Sequence, residues 1–459
     1  MSDPPPIGSD PSRSSSLSTD SLPHPPSIPP SPVLSFPLNY LHALTRFLIL
    51  FALLPCHAVL YTILPRSKRP RSSWSLLETV LSFAVKRYLA MIDIAGFKIS
   101  SRNVFETPRK SFRMWRSRCR FEWIELDQEE VQFVKEIVKD SVADDENVKM
   151  REKVGVFSWY RERENKEDPE KFVAKDETGL VGLFFHGGAF THNSAHPKSQ
   201  STVMPLTLFR RSPHFISMHS VEFRLLPEYP FPAQLQDAIT VYVGLLKRGI
   251  EAKRIVLIGD SSGANIALSL ARWIRDTLRE KGEMERFEGG EMKWKLGDSG
   301  GLILFSPWVD PSHSFLNCTP QDYVPRPNPC DYILETGPFR HHLVHNLLGP
   351  SRPRSFVLSP YLSPGRINLP PDTFDPKHSP VFVSYGTGER GQAECERLVN
   401  YLKRDGVKQV EVVRTEDTMH DILLLGFWNR EKREEIWRGA LRFLEGLEGG
   451  KMRTTSGRI

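Results

Sequence analysis

The 459-residue sequence is poor in cysteine. Its five cysteines, at 56, 119, 318, 330 and 395, form no C-x-x-C pair and have no spaced histidine pair beside them. A structural metal site needs such clustered thiolate and imidazole ligands, so no metal and no metal cofactor is expected. Cys318 and Cys330 stand close enough to bridge in an oxidising lumen, but two free thiols are the expectation. An excess of one charge is also lacking. Sixty-one Lys and Arg against 55 Asp and Glu leave a formal +6, which is no ground for a nucleic-acid partner unless the basic residues gather on one face. Internal repeats are absent as well. What is present is a globular composition, 39% hydrophobic and 25% charged, with 9 Trp and 27 Phe to fill a core.

Residues 1–32 hold ten Pro and ten Ser and almost no large apolar side chains. Such a segment cannot repay the entropy of folding and reads as a disordered tail. Phe47–Leu64 then runs for 18 residues without Asp, Glu, Lys or Arg, a length that just spans a bilayer core as a helix. Pro55 and His57 sit in its middle, against that reading. A buried helix or a re-entrant hairpin is the alternative; a membrane anchor over about residues 40–65 is the expectation. A cleaved signal peptide fits poorly, because the long polar tail precedes the apolar run. Arg66, Lys68, Arg69 and Arg71 follow the run directly, which predicts a single-pass chain, of the endoplasmic reticulum, with the following domain cytosolic. Asn317-Cys318-Thr319 is an opposing signal, since a glycosylation acceptor would need a lumenal domain.

Trp74–Phe97 repeats Leu77, Val80, Leu81, Ala84, Tyr88, Met91, Ile92 and Ala95 at helical spacing. Such a helix could pack on the following domain as a lid or lie on a membrane, and packing is the expectation. Arg109–Arg120 carries six basic residues and reads as a solvated face. Residues 72–177 are therefore expected to form a helical cap and N-terminal extension. From about residue 178 the pattern changes. LVGLFF (180–185), IVLI (255–258), LILF (302–305), VFVS (381–384) and VEVV (410–413) read as buried parallel strands, and Ala264–Arg279, Glu394–Arg404 and Arg430–Leu444 as the helices between them. That alternation predicts a doubly wound, mostly parallel sheet over 178–446. Residues 280–299 read as a surface insertion, 311–379 as a loop-dominated region near the site, and 447–459 as a flexible tail.

Gly259-Asp260-Ser261-Ser262-Gly263 follows the strand IVLI and opens a helix. This is the strand–turn–helix context in which G-x-S-x-G presents a nucleophilic serine, and the helix N-terminus supplies partial positive charge there. Seventy-five positions before Ser261 stands His186-Gly187-Gly188-Ala189-Phe190, directly after LVGLFF. The N–H groups of Gly187 and Gly188, with that of Ser262, are expected to form an oxyanion hole. The nucleophile needs a base and the base an orienting carboxylate. His420 follows the last strand, and Glu389 is the carboxylate in the loop after the strand before it. Glu394 and Glu396 lie on the next helix and read as a solvated face.

These motifs resemble the hormone-sensitive lipase family of α/β-hydrolases. Beyond the elbow the resemblance rests on HGGAF at 186–190, FRLLPEYPFPAQLQDA at 223–238 and SPWVD at 306–310; the family pattern around the second is Y-R-L-A-P-E-x-P-F-P-A-x-x-x-D-A. It covers roughly residues 178–446. It implies an eight-stranded α/β-hydrolase sheet with an N-terminal helical cap, and hydrolysis of carboxylic esters without metal or cofactor. With the anchor, it points to the fungal branch that includes steryl acetyl hydrolases. The expected partners are a small, lipophilic ester substrate and a membrane. Two departures stand out. The family acid is an Asp in D-x-L-x-D-E where this chain reads Glu389-Arg390-Gly391-Gln392-Ala393-Glu394, and the third glycine of HGGG is Ala189. An acyltransferase on the same triad, or a non-catalytic ligand-binding member of the fold, are the alternatives. Some plant relatives bind hormones but lose the catalytic histidine.

Overall fold

The computed structural model describes residues 33–99, 119–161, 178–288, 291–312, 330–333, 338–375 and 377–455. The Pro/Ser tail, residues 109–118 of the basic stretch and the Asn317 sequon lie outside them.

An eight-stranded sheet organises the chain. In sequence order its strands are β1 (Cys119–Glu125), β2 (Lys153–Tyr160), β3 (Leu180–Phe185), β4 (Phe215–Val221), β5 (Ile255–Asp260), then β8 (Gly301–Phe305), β9 (Val381–Gly386) and β10 (Val410–Thr415). Strands β6 (Glu285–Glu288) and β7 (Glu291–Lys295) pair only with each other. In space the large sheet runs β1-β2-β4-β3-β5-β8-β9-β10. All pairings from β4 to β10 are parallel, while β2 runs antiparallel to both its neighbours.

The strands β3, β5, β8 and β9 are buried along their whole length, as expected of a parallel sheet covered on both faces. Their side chains alternate between two apolar layers. Val181, Leu183, Phe185 and Leu257 point to one, where α3 (Gln128–Val138), α5 (Ala233–Lys247), α6 (Ser262–Lys281), α7 (Pro338–Leu348) and α8 (Gln392–Arg404) pack. Leu180, Phe184, Val256 and Ile258 point to the other, against α4 (Val203–Arg211) and α9 (Arg430–Thr455). Each such Leu, Ile or Phe withdrawn from water contributes about 1.5–3 kcal/mol, so the sheet's position is the most strongly held feature of the chain.

Two expectations about boundaries change. Residues 72–177 are not all cap, because β1 and β2 extend the main sheet. Val154 and Val156 face one apolar layer while Phe157 and Trp159 face the other, a period-two pattern hidden between charged flanks. The final helix also continues past 447 as far as Thr455. The 280–299 insertion forms the β6–β7 hairpin, pinned to the core by buried Trp294 and Leu296.

Before the sheet comes a helical hairpin. Helix α1 spans Leu38–Ile63, longer than the uncharged run, with Pro55 inside it and no buried residue. By length and composition it could cross a membrane. Helix α2 (Leu76–Ala95) opens on a capping box of Ser75 and Glu78 and ends at Gly96, whose φ of +67° suits glycine. The two helices lie side by side: the rings of His57 and Phe83 stack 4.0 Å apart, and Tyr40 meets Phe97 at 5.1 Å.

Candidate active site

The loops at the carboxyl edge of β3, β5, β8, β9 and β10 converge, where ligands bind in open parallel sheets. Between β5 and α6, Ser261 has φ 52° and ψ −118°. The turn is possible only because its neighbours are small. A Cβ on Gly259 would stand 2.4 Å from the backbone of Gly263, and one on Gly263 would stand 2.0 Å from the Phe185 carbonyl oxygen. The strain is held by packing and by two backbone bonds, Ser261 N–H to Phe305 O at 2.9 Å and Trp308 N–H to Ser261 O at 3.0 Å.

His420 Nε2 lies 2.9 Å from Ser261 Oγ, and its Nδ1 lies 3.1 Å from Glu389 Oε2. The other oxygen of Glu389 accepts the Gly386 N–H and the Ser306 hydroxyl, both at 2.7 Å. Glu394, expected on a solvated face, is instead buried and lines the same cavity. Glu396 is half-buried and takes a bond from Gln392 Nε2 at 2.7 Å.

The glycine turn differs from the expectation in one respect. The Gly187 N–H donates to Asp260 Oδ1 at 2.9 Å, so Gly187 is no oxyanion donor in this arrangement. Among the described residues the N–H groups of Gly188 and Ala189 make no hydrogen bond. Gly188 has φ +113°, and a Cβ there would meet the His192 carbonyl oxygen at 2.6 Å. The site's three available donors are therefore Gly188, Ala189 and, in the first turn of α6, Ser262. His186 is buried and stacked 4.3 Å from Phe223; burial lowers its pKa to about 4 and keeps it neutral.

Several carboxyls crowd the imidazole. Asp331 accepts the backbone N–H of His420 at 3.3 Å and of Arg390 at 2.8 Å. Asp421 Oδ2 lies 3.4 Å from His420 Nε2. Burial alone would lower the His420 pKa, but Asp421, Glu389 and Asp331 outweigh it and raise it to about 10. Burial also pushes Asp421 well above the ordinary carboxyl range and Asp260 up to about 7. The sequence offered no sign of Asp331, which comes from a Pro-rich stretch. Asp421 and Ser306 adjoin recognisable motifs, and that adjacency was the only available signal.

A cavity of about 350 Å³ opens over Ser261. Val85, Tyr88 and Leu89 of α2 form one wall, facing Trp308, Leu424 and Leu425. Helix α2 and Trp74 just before it are docked on the histidine loop itself, through Trp74 Nε1 to Asp417 O at 2.6 Å and Ser82 Oγ to Met419 Sδ at 3.3 Å. Cys330 is buried with its thiol directed at Pro70 O, 3.4 Å away; Cys318 lies outside the described residues.

Sheet order, strained elbow and loop-borne histidine define an α/β-hydrolase architecture. A family model described as alpha/beta hydrolase fold matches residues 182–424, more than half of the chain. The chain therefore belongs to this α/β-hydrolase family, whose members are like hormone-sensitive lipase. It is 39% identical over 100 residues to a carboxylesterase/phospholipase, LipF, of Mycobacterium tuberculosis, covering 22% of this chain and 25% of the relative. An esterase of Acinetobacter venetianus is 34% identical over 141 residues, 31% of this chain and 39% of the relative. An acetyl-hydrolase of Streptomyces hygroscopicus is 27% identical over 184 residues, 40% of this chain and 52% of the relative. The alignments thus span about a quarter to a half of these relatives' lengths.

Proposed function

We propose that this protein is a serine hydrolase that cleaves carboxylic esters, of the carboxylesterase or lipase type. The observation that carries the reading is the hydrogen-bonded chain Ser261–His420–Glu389, with steps of 2.9 and 3.1 Å, at the foot of a largely apolar cavity. Ser261 Oγ attacks the ester carbonyl carbon while His420 Nε2 takes its proton. Negative charge on the carbonyl oxygen is met by the N–H groups of Gly188, Ala189 and Ser262, each worth on the order of 100-fold or more in rate. The carbon–oxygen bond to the alcohol breaks, its electron pair stays on the alcohol oxygen, and the proton on His420 passes to that oxygen. Water then attacks the acyl-enzyme along the same route. Glu389 holds the imidazole in the tautomer that leaves Nε2 free.

The substrate class is lipophilic esters, because Val85, Leu89, Trp308, Leu424 and Leu425 give the cavity its walls. Helix α1 exposes many large apolar side chains, including Leu44, Phe47, Leu48 and Phe51 at 53–74%, and this supports attachment to a membrane. Exposed Arg66 and Lys68 beside it suit an anionic lipid surface and a cytosolic catalytic domain. Steryl acetates belong in the substrate panel, since the apolar helix is the sole reason to prefer that branch.

Ser261→Ala is the direct test. It removes both hydrolysis and covalent labelling by a fluorophosphonate while leaving the Tm in place. Full labelling of that variant would sink the reading.

A further inference from the structure

We propose that Asp421 is a further catalytic residue, whose carboxyl donates a hydrogen bond to the leaving-group oxygen beside His420 Nε2 and so equips the site for esters of alcohols that leave poorly. This rests on the esterase reading above and adds a group which that mechanism does not use.

The geometry is specific. Asp421 follows His420 directly, has φ +46°, and is 4% exposed. Its Oδ2 stands 3.4 Å from His420 Nε2, the same nitrogen that lies 2.9 Å from Ser261 Oγ. Its Oδ1 is buried without a hydrogen-bond partner among the described residues, and the side chain lines the cavity. The backbone is tied in place: the Asp421 N–H donates to Ser306 Oγ at 3.2 Å, and the Ser306 hydroxyl donates to Glu389. Glu389 thus holds the Nδ1 side of the ring while Asp421 stands at the reacting side. The Asp421 side chain lines the cavity beside His420 Nε2, and an ester seated over Ser261 offers the carboxyl a hydrogen-bond partner that the protein does not supply.

Four acids face this one imidazole: Asp260 from the end of β5, Asp331, Glu389 and Asp421, with Tyr332 completing the ring. They cannot all be ionised around a single positive charge. Glu389 receives the Gly386 N–H, the Ser306 hydroxyl and His420 Nδ1, and Asp331 receives two backbone N–H groups. Asp260 receives the Gly187 N–H. The Asp421 carboxyl receives no such donor, so of the four it keeps a proton most readily. Moving that proton between Asp421 and His420 does not change the charge of the pair. The working tautomer has neutral imidazole and a protonated carboxyl, ready to accept from Ser261 and to donate to the substrate.

When the tetrahedral adduct collapses, the bond between the carbonyl carbon and the alcohol oxygen breaks and the electron pair goes to oxygen. His420 delivers the proton taken from Ser261. Asp421 hydrogen-bonds to the same oxygen and keeps its own proton throughout, so the charges balance. Such help matters most where the departing oxygen is strongly basic. A primary alkoxide needs it and p-nitrophenolate scarcely does.

The experiment uses the full-length chain and a series of acetates whose alcohols run from p-nitrophenol to ethanol, scored as kcat/KM, which reports acylation. Glycine adopts φ +46° without strain, so Asp421→Gly should fold, as an unchanged Tm would verify. The expected loss is on the order of 100-fold for ethyl acetate and much smaller for p-nitrophenyl acetate, giving a steeper dependence on the alcohol's pKa. Asp421→Asn, which retains a donor, recovers part of the loss. The ethyl acetate rate of the wild type falls at alkaline pH as the pair loses its proton, and that limb is missing in Asp421→Gly. Equal losses across the series, or none, in a folded variant would overturn the assignment alone. A wild-type chain inert to every acetate and to fluorophosphonate would bring down the esterase reading with it.

Discussion

The carboxyl edge of the sheet and the α1–α2 hairpin border the same cavity, yet opposite kinds of surface hold them. At the edge, Ser261 and Glu389 follow strands buried along their whole length, His420 follows the half-buried outer strand β10, and most of their polar neighbours have partners. In the hairpin, α2 buries one side on the hydrolase core, while α1 touches α2 and buries no residue. A soluble domain covers its large apolar surfaces with its own chain; here the part built on the sheet does so and the first helix does not. The hairpin is nevertheless part of the site, because α2 supplies a cavity wall and rests on the loop that bears His420.

If that contrast holds, the largest effects lie at the edge. Glu389→Gln should lower kcat on the order of 10⁴-fold, by letting the imidazole take the wrong tautomer. Kinetics on Glu394→Gln provide the control. A comparable loss there would show that the acid lies one helical turn further on. Trp74→Ala tests the seam between the two regions. Trp74 is 2% exposed and packs on Trp428 at 5.0 Å, so its removal should cost about 3–5 kcal/mol and reduce kcat as the histidine loop loosens. Urea unfolding with ester kinetics on the same samples measures both; a stability loss without any loss of kcat would separate the hairpin from the site.

Removing residues 1–70 takes away α1 but leaves Trp74 and α2. The truncated chain should no longer sediment with membranes after carbonate extraction and should still hydrolyse short-chain esters. Continued membrane association would place the anchoring surface elsewhere. In intact microsomes an added protease should digest the catalytic domain of the full chain. Protection until detergent is added, with a glycosidase-sensitive shift at Asn317, would place that domain in the lumen.

The smallest effect concerns Asp260. Its pKa rises on folding from the ordinary 3.8 to about 7, chiefly through burial. The folded state therefore binds more protons than the unfolded state between those values. The stability this gives is fully present below about pH 4 and is lost as pH rises through 7. Asp260→Asn keeps an acceptor for the Gly187 N–H and removes the titration. Its Tm should vary less over that window than the wild type's, which thermal unfolding at a series of pH values would check.

Much of the arrangement was legible in one dimension. Continuous apolar runs such as LVGLFF and IVLI could only be strands covered on both faces, and the small residues about Ser261 marked a turn too tight for a Cβ. Knowing the strand ends located the loops that carry Glu389 and His420, now seen within hydrogen-bond reach of one another. Strands β1 and β2 were not legible, because short half-apolar segments between charged flanks acquire their periodicity only beside a neighbour.

The sequence by itself determined which backbone segments must be buried and where the chain has to turn sharply, since apolar periodicity and steric allowance are local properties. It could not decide which N–H groups of the glycine turn remain free. Gly187 and Gly188 are chemically identical, and only the position of the Asp260 carboxylate commits one of them. Nor could it decide that Glu394 faces the cavity, or that Asp331 and Asp421 join Glu389 around His420. Burial, the company of other charges and the direction of a side chain arise from residues far apart in the chain, and they exist only once the sheet has brought those residues together.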